Sequence, residues 1–237
     1  MHTQRLELED SYIRSWETEV WKIGSHQVGL ARSAFYPGGG GQDPDTGTIR
    51  WGSAQYQVKS VQKNDELVTV ELDQAVPAAH GSVEAALEWK PRYVNMRTHT
   101  AFHCLVGIAW EEFGVKVAGG DMRNGTGRID FGPGLDREKV FRCVELANDL
   151  IAHGAPVRVS EVPQETIDHD PSLVKLVSNR APVSAQGTYR VVEIVGVDRE
   201  VDGGTHVADL SEVRGVGVVK YSSSGKGQKR LKFQILD

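Results

Sequence analysis

Arg97-Thr98-His99-Thr100-Ala101-Phe102-His103-Cys104-Leu105 is the stretch around which this chain of 237 residues is organised. Leu105, Ile108, Ala109 and Phe113 continue an apolar spacing of three and four after it, which predicts a helix opening here with Thr98 as its N-cap. No acidic or amide side chain follows Thr98 by three residues, so a capping box is not formed. On a helix, residues four apart share one face, and the imidazoles of His99 and His103 point the same way. One helix offers two nitrogen ligands to a metal ion in this manner. Two helix histidines that hydrogen-bond locally have the same spacing, and the pair alone does not separate the two.

A second pair stands far along the chain in Val201-Asp202-Gly203-Gly204-Thr205-His206-Val207. The double glycine makes this a tight loop and not a helical turn, able to fold Asp202 and His206 back on a site held elsewhere. Together the two stretches point to three imidazoles and a carboxylate, a set that suits zinc. His99-Thr100-Ala101-Phe102-His103 has threonine where the His-Glu-x-x-His metallopeptidase motif places its general base. Four protein ligands also close a tetrahedron, whereas catalytic zinc keeps one position for water. Hydrolysis therefore requires one of the four to stand off the metal, or the coordination to expand. Asp202 is the residue expected to stand off, and to orient or deprotonate a water whose pKa zinc lowers to about 7.

The apolar and charged fractions, 39% and 25%, are those of a globular protein. No run of eighteen apolar residues exists, so no membrane span is expected. The charged N-terminus, MHTQRLELEDSYIRSW, lacks the apolar core of a signal peptide. Cys104 and Cys143 cannot make a disulfide framework and fall on apolar helix faces. Buried thiols in a reducing compartment, the cytoplasm, are the expectation. The net charge of −5 argues mildly against a nucleic-acid partner, but its distribution matters more. Residues 220–232 carry Lys220, Lys226, Lys229, Arg230 and Lys232 without an acid, and Lys90, Arg92 and Arg97 stand beside the histidines. Such runs are usually solvated faces.

Residues 1–90 read as β structure. Strand character runs over 28–36, and segments 55–61 and 67–72 flank the hairpin signal Lys63-Asn64-Asp65. Between them lies Phe35-Tyr36-Pro37-Gly38-Gly39-Gly40-Gly41-Gln42-Asp43, a flexible loop whose bare amides can approach a ligand closely. It is not a phosphate-binding P-loop, because no Gly-Lys-Ser/Thr follows. Pro77, Gly81 and Pro91 bracket an expected short helix at 82–89, taken as the boundary between units 1–90 and 91–237. Beyond the histidine helix, the expectations are a short strand at 115–117, a loop at 119–127 and a strand at 128–131. An amphipathic helix follows, capped by Asp136 and ended by Gly154. Strands are expected at 156–162 and 189–197, a weak helix at 173–178, and a terminal hairpin from 216–221 and 230–236. The order predicts an α+β chain, with a first part of strands and a second with helices laid on an antiparallel sheet.

His99-x-x-x-His103, Arg128-Ile129-Asp130-Phe131, Gly203-Gly204-Thr205-His206-Val207 and Gly225-Lys226-Gly227 followed by Arg230-Leu231-Lys232 occur in an order that resembles one family. It is the editing domain of alanyl-tRNA synthetase together with its free-standing relatives, the AlaX proteins. Residues 34–43 with Asp45-Thr46-Gly47 resemble the glycine-rich segment of the longer, two-domain AlaX forms. The resemblance implies a small N-terminal β-barrel and a C-terminal α/β editing domain of the kind threonyl-tRNA synthetase also carries. It implies zinc-dependent, ATP-independent hydrolysis of tRNA(Ala) mischarged with serine or glycine. It maps His99, His103 and His206 onto ligand positions. Asp202 takes its place by position only, because the family commonly has Cys-Gly-Gly-Thr-His. Aspartate keeps the negative charge but exchanges soft sulfur for hard oxygen, which weakens the preference for zinc.

On this basis Gly38, Gly39, Gly40, Gly41, Gln42 and Thr205 are expected to bind substrate. Arg92, Arg97, Lys226, Lys229, Arg230 and Lys232 are expected to bind tRNA. No class II synthetase catalytic domain fits in this length, which excludes charging of tRNA. The leading expectation is a trans-acting aminoacyl-tRNA deacylase. One rival is a metal-stabilised tRNA-binding module without catalysis, which the four-ligand set keeps open. Another is an unrelated zinc hydrolase of small esters, which leaves the glycine loop and basic tail unused.

Overall fold

The computed structural model describes residues 2–176, 187–223, 225 and 227–237. The chain divides into two compact units, Met1–Tyr93 and Val94–Asp237. The fold is α+β: a closed barrel and further sheets, with few helices.

The first unit opens with β1 (Gln4–Arg5), which pairs in parallel with β4 (Arg32–Ser33). Its body is a closed six-stranded barrel of β2 (Ser15–Lys22), β3 (Gln27–Leu30), β5 (Gly47–Trp51), β6 (Ala54–Asn64), β7 (Leu67–Leu72) and β8 (His80–Leu87). Alternation decides which face goes inside: Trp16, Thr18 and Val20 of β2, and Val83, Ala85 and Leu87 of β8, are buried while their neighbours are not. Closure leaves the sheet without exposed edges. The expected helix at 82–89 is thus a strand, and its period of two closes the barrel. Pro91 does not end an element; it lies in the first turn of a helix, where a missing N–H costs nothing.

That helix, α1, runs over Trp89–Phe113 and so begins well before Thr98. Thr98 caps nothing; its hydroxyl donates to the Val94 carbonyl one turn earlier at 2.7 Å. From Asn95 to Ala109 every residue of α1 is buried, histidines included. A helix buried on all sides leaves no solvent for polar side chains, so each needs a partner within the protein.

The second unit continues with β9 (Val117–Arg123) and β10 (Thr126–Phe131). The expected loop at 119–127 is mostly this hairpin. Its turn is Asn124-Gly125, both at positive φ (49° and 78°), the pattern of a tight two-residue turn matching strand twist. α2 (Arg137–His153) carries the expected cap, with the Asp136 side chain accepting from Lys139 N, and ends at Gly154 with φ 75°. β11 (Val157–Pro163), α3 (Gln164–His169), β12 (Thr188–Ile194) and β13 (Asp198–Val201) follow, the three strands forming an antiparallel sheet. The weak helix expected at 173–178 reduces to a 3₁₀ turn at Pro171–Leu173 and a bridge from Leu176 to Val117; residues 177 and 178 lie outside the described residues. β14 (Val216–Ser223) and β15 (Lys229–Ile235) form the terminal hairpin and complete a sheet of order β14-β15-β10-β9. Ile129, Phe131, Leu231 and Phe233 bury one face of it, and Cys104 and Cys143 are buried free thiols.

Candidate metal centre

The two stretches singled out in the sequence meet. The i, i+4 spacing on α1 sets the His99 and His103 rings 5.1 Å apart, centroid to centroid. The loop after β13 brings in His206, whose ring lies 4.4 Å from His99 and 4.8 Å from His103. Asp202 Oδ1 stands 3.5 Å from His99 Nε2 and 3.9 Å from His103 Nε2, and Oδ2 stands 3.0 Å from His206 Nε2. Ligand atoms around a tetrahedral zinc lie about 3.3 Å apart, given bonds of about 2.0–2.1 Å. The four donor atoms all fall within 4.8 Å of one another, and three imidazole nitrogens with one carboxylate oxygen are the chemistry zinc accepts.

Two glycines let the elements approach this closely. A Cβ on Gly204 would sit 2.2 Å from His99 Cε1, so only a bare backbone passes beneath that ring. A Cβ on Gly107 would sit 2.7 Å from Asp198 Cβ, so β13 meets α1 at a glycine.

A second layer orients the donors. His103 Nδ1 donates to Asp198 Oδ2 at 2.9 Å, which leaves Nε2 facing the cluster. Asp198 is itself held by the buried ammonium of Lys175 at 2.7 Å. His206 Nδ1 pairs at 3.2 Å with Oγ1 of Thr100, the residue that follows the first histidine on α1. Asp202 Oδ2 accepts the Gly204 N–H at 2.6 Å, and Arg190 donates to the Asp202 carbonyl at 2.9 Å. Glu200 reaches to 3.7 Å of His103 Nε2 with Oε1, while its buried Oε2 has no hydrogen-bond partner among the described residues.

Burial and charge set the protonation of the cluster. Burial pushes His99 well below the usual imidazole range and His206 down to about 4, against the pull of Asp202. Burial also acts to lower His103, but Glu200, Asp198 and Asp202 outweigh it and raise this imidazole to about 9. Asp202 is raised by burial and lowered more strongly by the three imidazoles, and is held well below the usual carboxylate range. Burial keeps Glu200 up at about 7, with His103 drawing it down.

Asp198, Glu200, Lys175, Thr100 and Arg190 were not among the residues expected from the sequence. The signal for two of them was present: Asp198-Arg199-Glu200-Val201-Asp202 places an acid at every second position, and a strand sends these to one face. Lys175 and Arg190 have no such signature.

The remaining expected residues separate. Thr205 is buried in the loop between Gly204 and His206. Gly38, Gly39, Gly40 and Gly41 all take positive φ, and they form an ordered turn instead of a loose connection. The Tyr36 hydroxyl donates to the Gly39 carbonyl, Gly39 and Gln42 exchange backbone bonds, and Gln42 is buried. Arg92 and Arg97, expected to meet phosphates, cannot. Arg92 is enclosed, pairing with Asp45 and donating to the Ser11 and Ala34 carbonyls. Arg97 is buried against the Val213 and Leu236 carbonyls and Asp237. Lys226 lies outside the described residues. Lys229, Arg230 and Lys232 lie on β15, where Lys229 donates to Ser223 Oγ and Arg230 grips both oxygens of Asp130.

Residues 189–232 match the family model of the threonyl and alanyl tRNA synthetase second additional domain. The chain is 31% identical over 236 residues to alanyl-tRNA editing protein AlaX-M of Saccharolobus solfataricus, covering 98% of this chain and 99% of that protein. It is 32% identical to the AlaX-M protein of Methanosarcina barkeri, covering 99% of this chain and all of that one. It is also 32% identical to alanine–tRNA ligase of Ignicoccus hospitalis, of which it spans 26%.

Proposed function

Because the chain belongs to the AlaX-M family of alanyl-tRNA editing proteins, we propose that it hydrolyses the ester joining serine or glycine to tRNA(Ala). The observation that carries the proposal is the convergence of His99, His103, His206 and Asp202 from a buried helix and a glycine-rich loop. Zinc held by these four residues would supply Lewis acidity toward the ester carbonyl and toward water. In the reaction, a water oxygen adds to the carbonyl carbon, the bond to the ribose oxygen breaks, and the tRNA hydroxyl leaves with a proton.

The chain's own groups divide the rest of the work. Asp198 and Thr100 fix the ring orientations of His103 and His206. Asp202 has one oxygen engaged by the Gly204 N–H and His206 and is strongly ionised, which makes it a better ligand than proton acceptor. We assign the acceptor role to Glu200, whose buried second oxygen has no partner among the described residues. Gly38 to Gly41, Gln42 and Thr205 are assigned to selecting the aminoacyl group. Of the basic tail, Lys226 and Lys232 are assigned to holding the tRNA, whereas Lys229 is bonded to Ser223 and Arg230 to Asp130.

One observation favours a second reading, a tRNA-binding module that metal stabilises without catalysis: four donors complete a tetrahedral shell. Release of radiolabelled serine from Ser-tRNA(Ala) separates the two. Turnover supports the deacylase; tight binding without release supports the module. Competition by uncharged tRNA(Ala) is expected to slow release. If it does not, the substrate is a small ester.

A further inference from the structure

Register in the sheet β14-β15-β10-β9 sorts its residues onto two faces. Ile129, Phe131, Leu231 and Phe233 are buried, so Arg128, Asp130, Arg230 and Lys232 point to the opposite face. Lys220 lies opposite Lys232, which lies opposite Arg128, which lies opposite Asp121, giving one row across four strands. The next row in one direction is Ser222, Arg230, Asp130 and Gly119; in the other direction Gln234, Thr126 and Arg123 lie side by side. Five cations and two acids therefore share this face. Both acids are spent: Asp121 pairs with Arg128 at 2.5 Å, and Asp130 is buried between Arg128 at 2.6 Å and Arg230 at 2.5 Å. Lys220, Lys232 and Arg123 are exposed. Lysines directly opposite each other in an antiparallel pair repel, and the fold gains nothing from placing them so. The same β alternation puts Lys229 on the other face, so the basic tail of the sequence does not act as one patch.

We propose that this face, with Lys220, Lys232, Arg123 and Arg128 as its contacts, is a platform for the phosphate backbone of the tRNA, an inference that rests on the tRNA editing reading above. Like-facing residues along a strand are about 6.8 Å apart and neighbouring strands about 4.8 Å apart, a grid on the scale of successive phosphates. Ser222 and Gly119, the two ends of the second row, present little or no side chain on either side of the Arg230–Asp130 pair. Contacts from these cations to phosphates carry no sequence information of their own, so the contact is expected to be independent of sequence.

The test is binding of uncharged tRNA(Ala), measured by filter retention over a range of salt concentrations, to the full chain and to Lys220→Glu, Arg123→Glu and the double variant. Each reversal should lower the slope of log affinity against log salt by about one, and the double by about two. Lys59→Glu, on an exposed barrel position, controls for net charge and should leave the slope unchanged. Melting curves report whether each variant is folded. Folded variants with the wild-type slope overturn the proposal, as does an equal loss in Lys59→Glu. Serine release from Ser-tRNA(Ala) by the wild-type protein is read separately. If release is absent while the slopes change as expected, the editing reading fails and the platform stands.

Discussion

Asp198 and Glu200 sit two residues apart on one strand face, yet their environments give them different tasks. Asp198 holds His103 by its Nδ1 and is itself neutralised by Lys175. Replacing it with Asn keeps the shape but weakens the grip on the ring. Asp198→Asn is expected to lower zinc affinity 10–100-fold, measured by competition with a chelating dye. Glu200 faces the same imidazole from the cluster side with an oxygen to spare. Glu200→Gln is expected to retain zinc and to lower kcat for serine release by about 100-fold or more, the range for loss of a positioned base. Zinc lost with the rate would instead make Glu200 a ligand. Near-normal turnover would remove it from the reaction.

At the scale of elements, α1 and the glycine loop are tied together by Arg92. Its guanidinium, in the first turn of α1, pairs with Asp45, and Asp45 in turn accepts the Tyr36 N–H at 2.6 Å. The two ends of the loop therefore close on one buried ion pair. Arg92→Ala would strand Asp45 without its charge partner and should cost about 3–5 kcal/mol of stability in chemical denaturation. A loss under about 1 kcal/mol would mean that water reaches the pair. Within the loop, Gly39 has φ 119°, a conformation that L side chains rarely adopt. Gly39→Ala should change the ratio of Ser-tRNA(Ala) to Ala-tRNA(Ala) hydrolysis while zinc content holds. An unchanged ratio would remove the loop from substrate selection.

The elements also show what was legible before folding. Spacing alone joined His99 to His103 and Asp202 to His206, because helix and tight-loop geometry are local properties. The α2 cap and the terminal hairpin were legible for the same reason. The start of α1 was not: Glu88, which precedes it, is not a common cap residue, and Pro91 reads as a boundary although it sits harmlessly in a first turn. Nor was the burial of Arg92 and Arg97, since a sequence shows charge but not the carbonyls and carboxylates that tertiary packing brings around it. The second layer of the site depends on β13 crossing α1 at Gly107, a contact between segments far apart in the chain.

At the scale of the whole molecule, the chain joins a closed barrel and a unit that carries a metal-type cluster, and no described helix is long and apolar enough to cross a membrane. Under the proposed function, the four donors serve a hydrolytic reaction and do more than brace a fold. Serine release from Ser-tRNA(Ala) tests this most directly, followed with the protein as purified, after chelation, and after zinc is returned. Release should stop on chelation and return with zinc, and His99→Ala should show none under any condition. Release that persists in the chelated protein, with elemental analysis finding no metal, would contradict it.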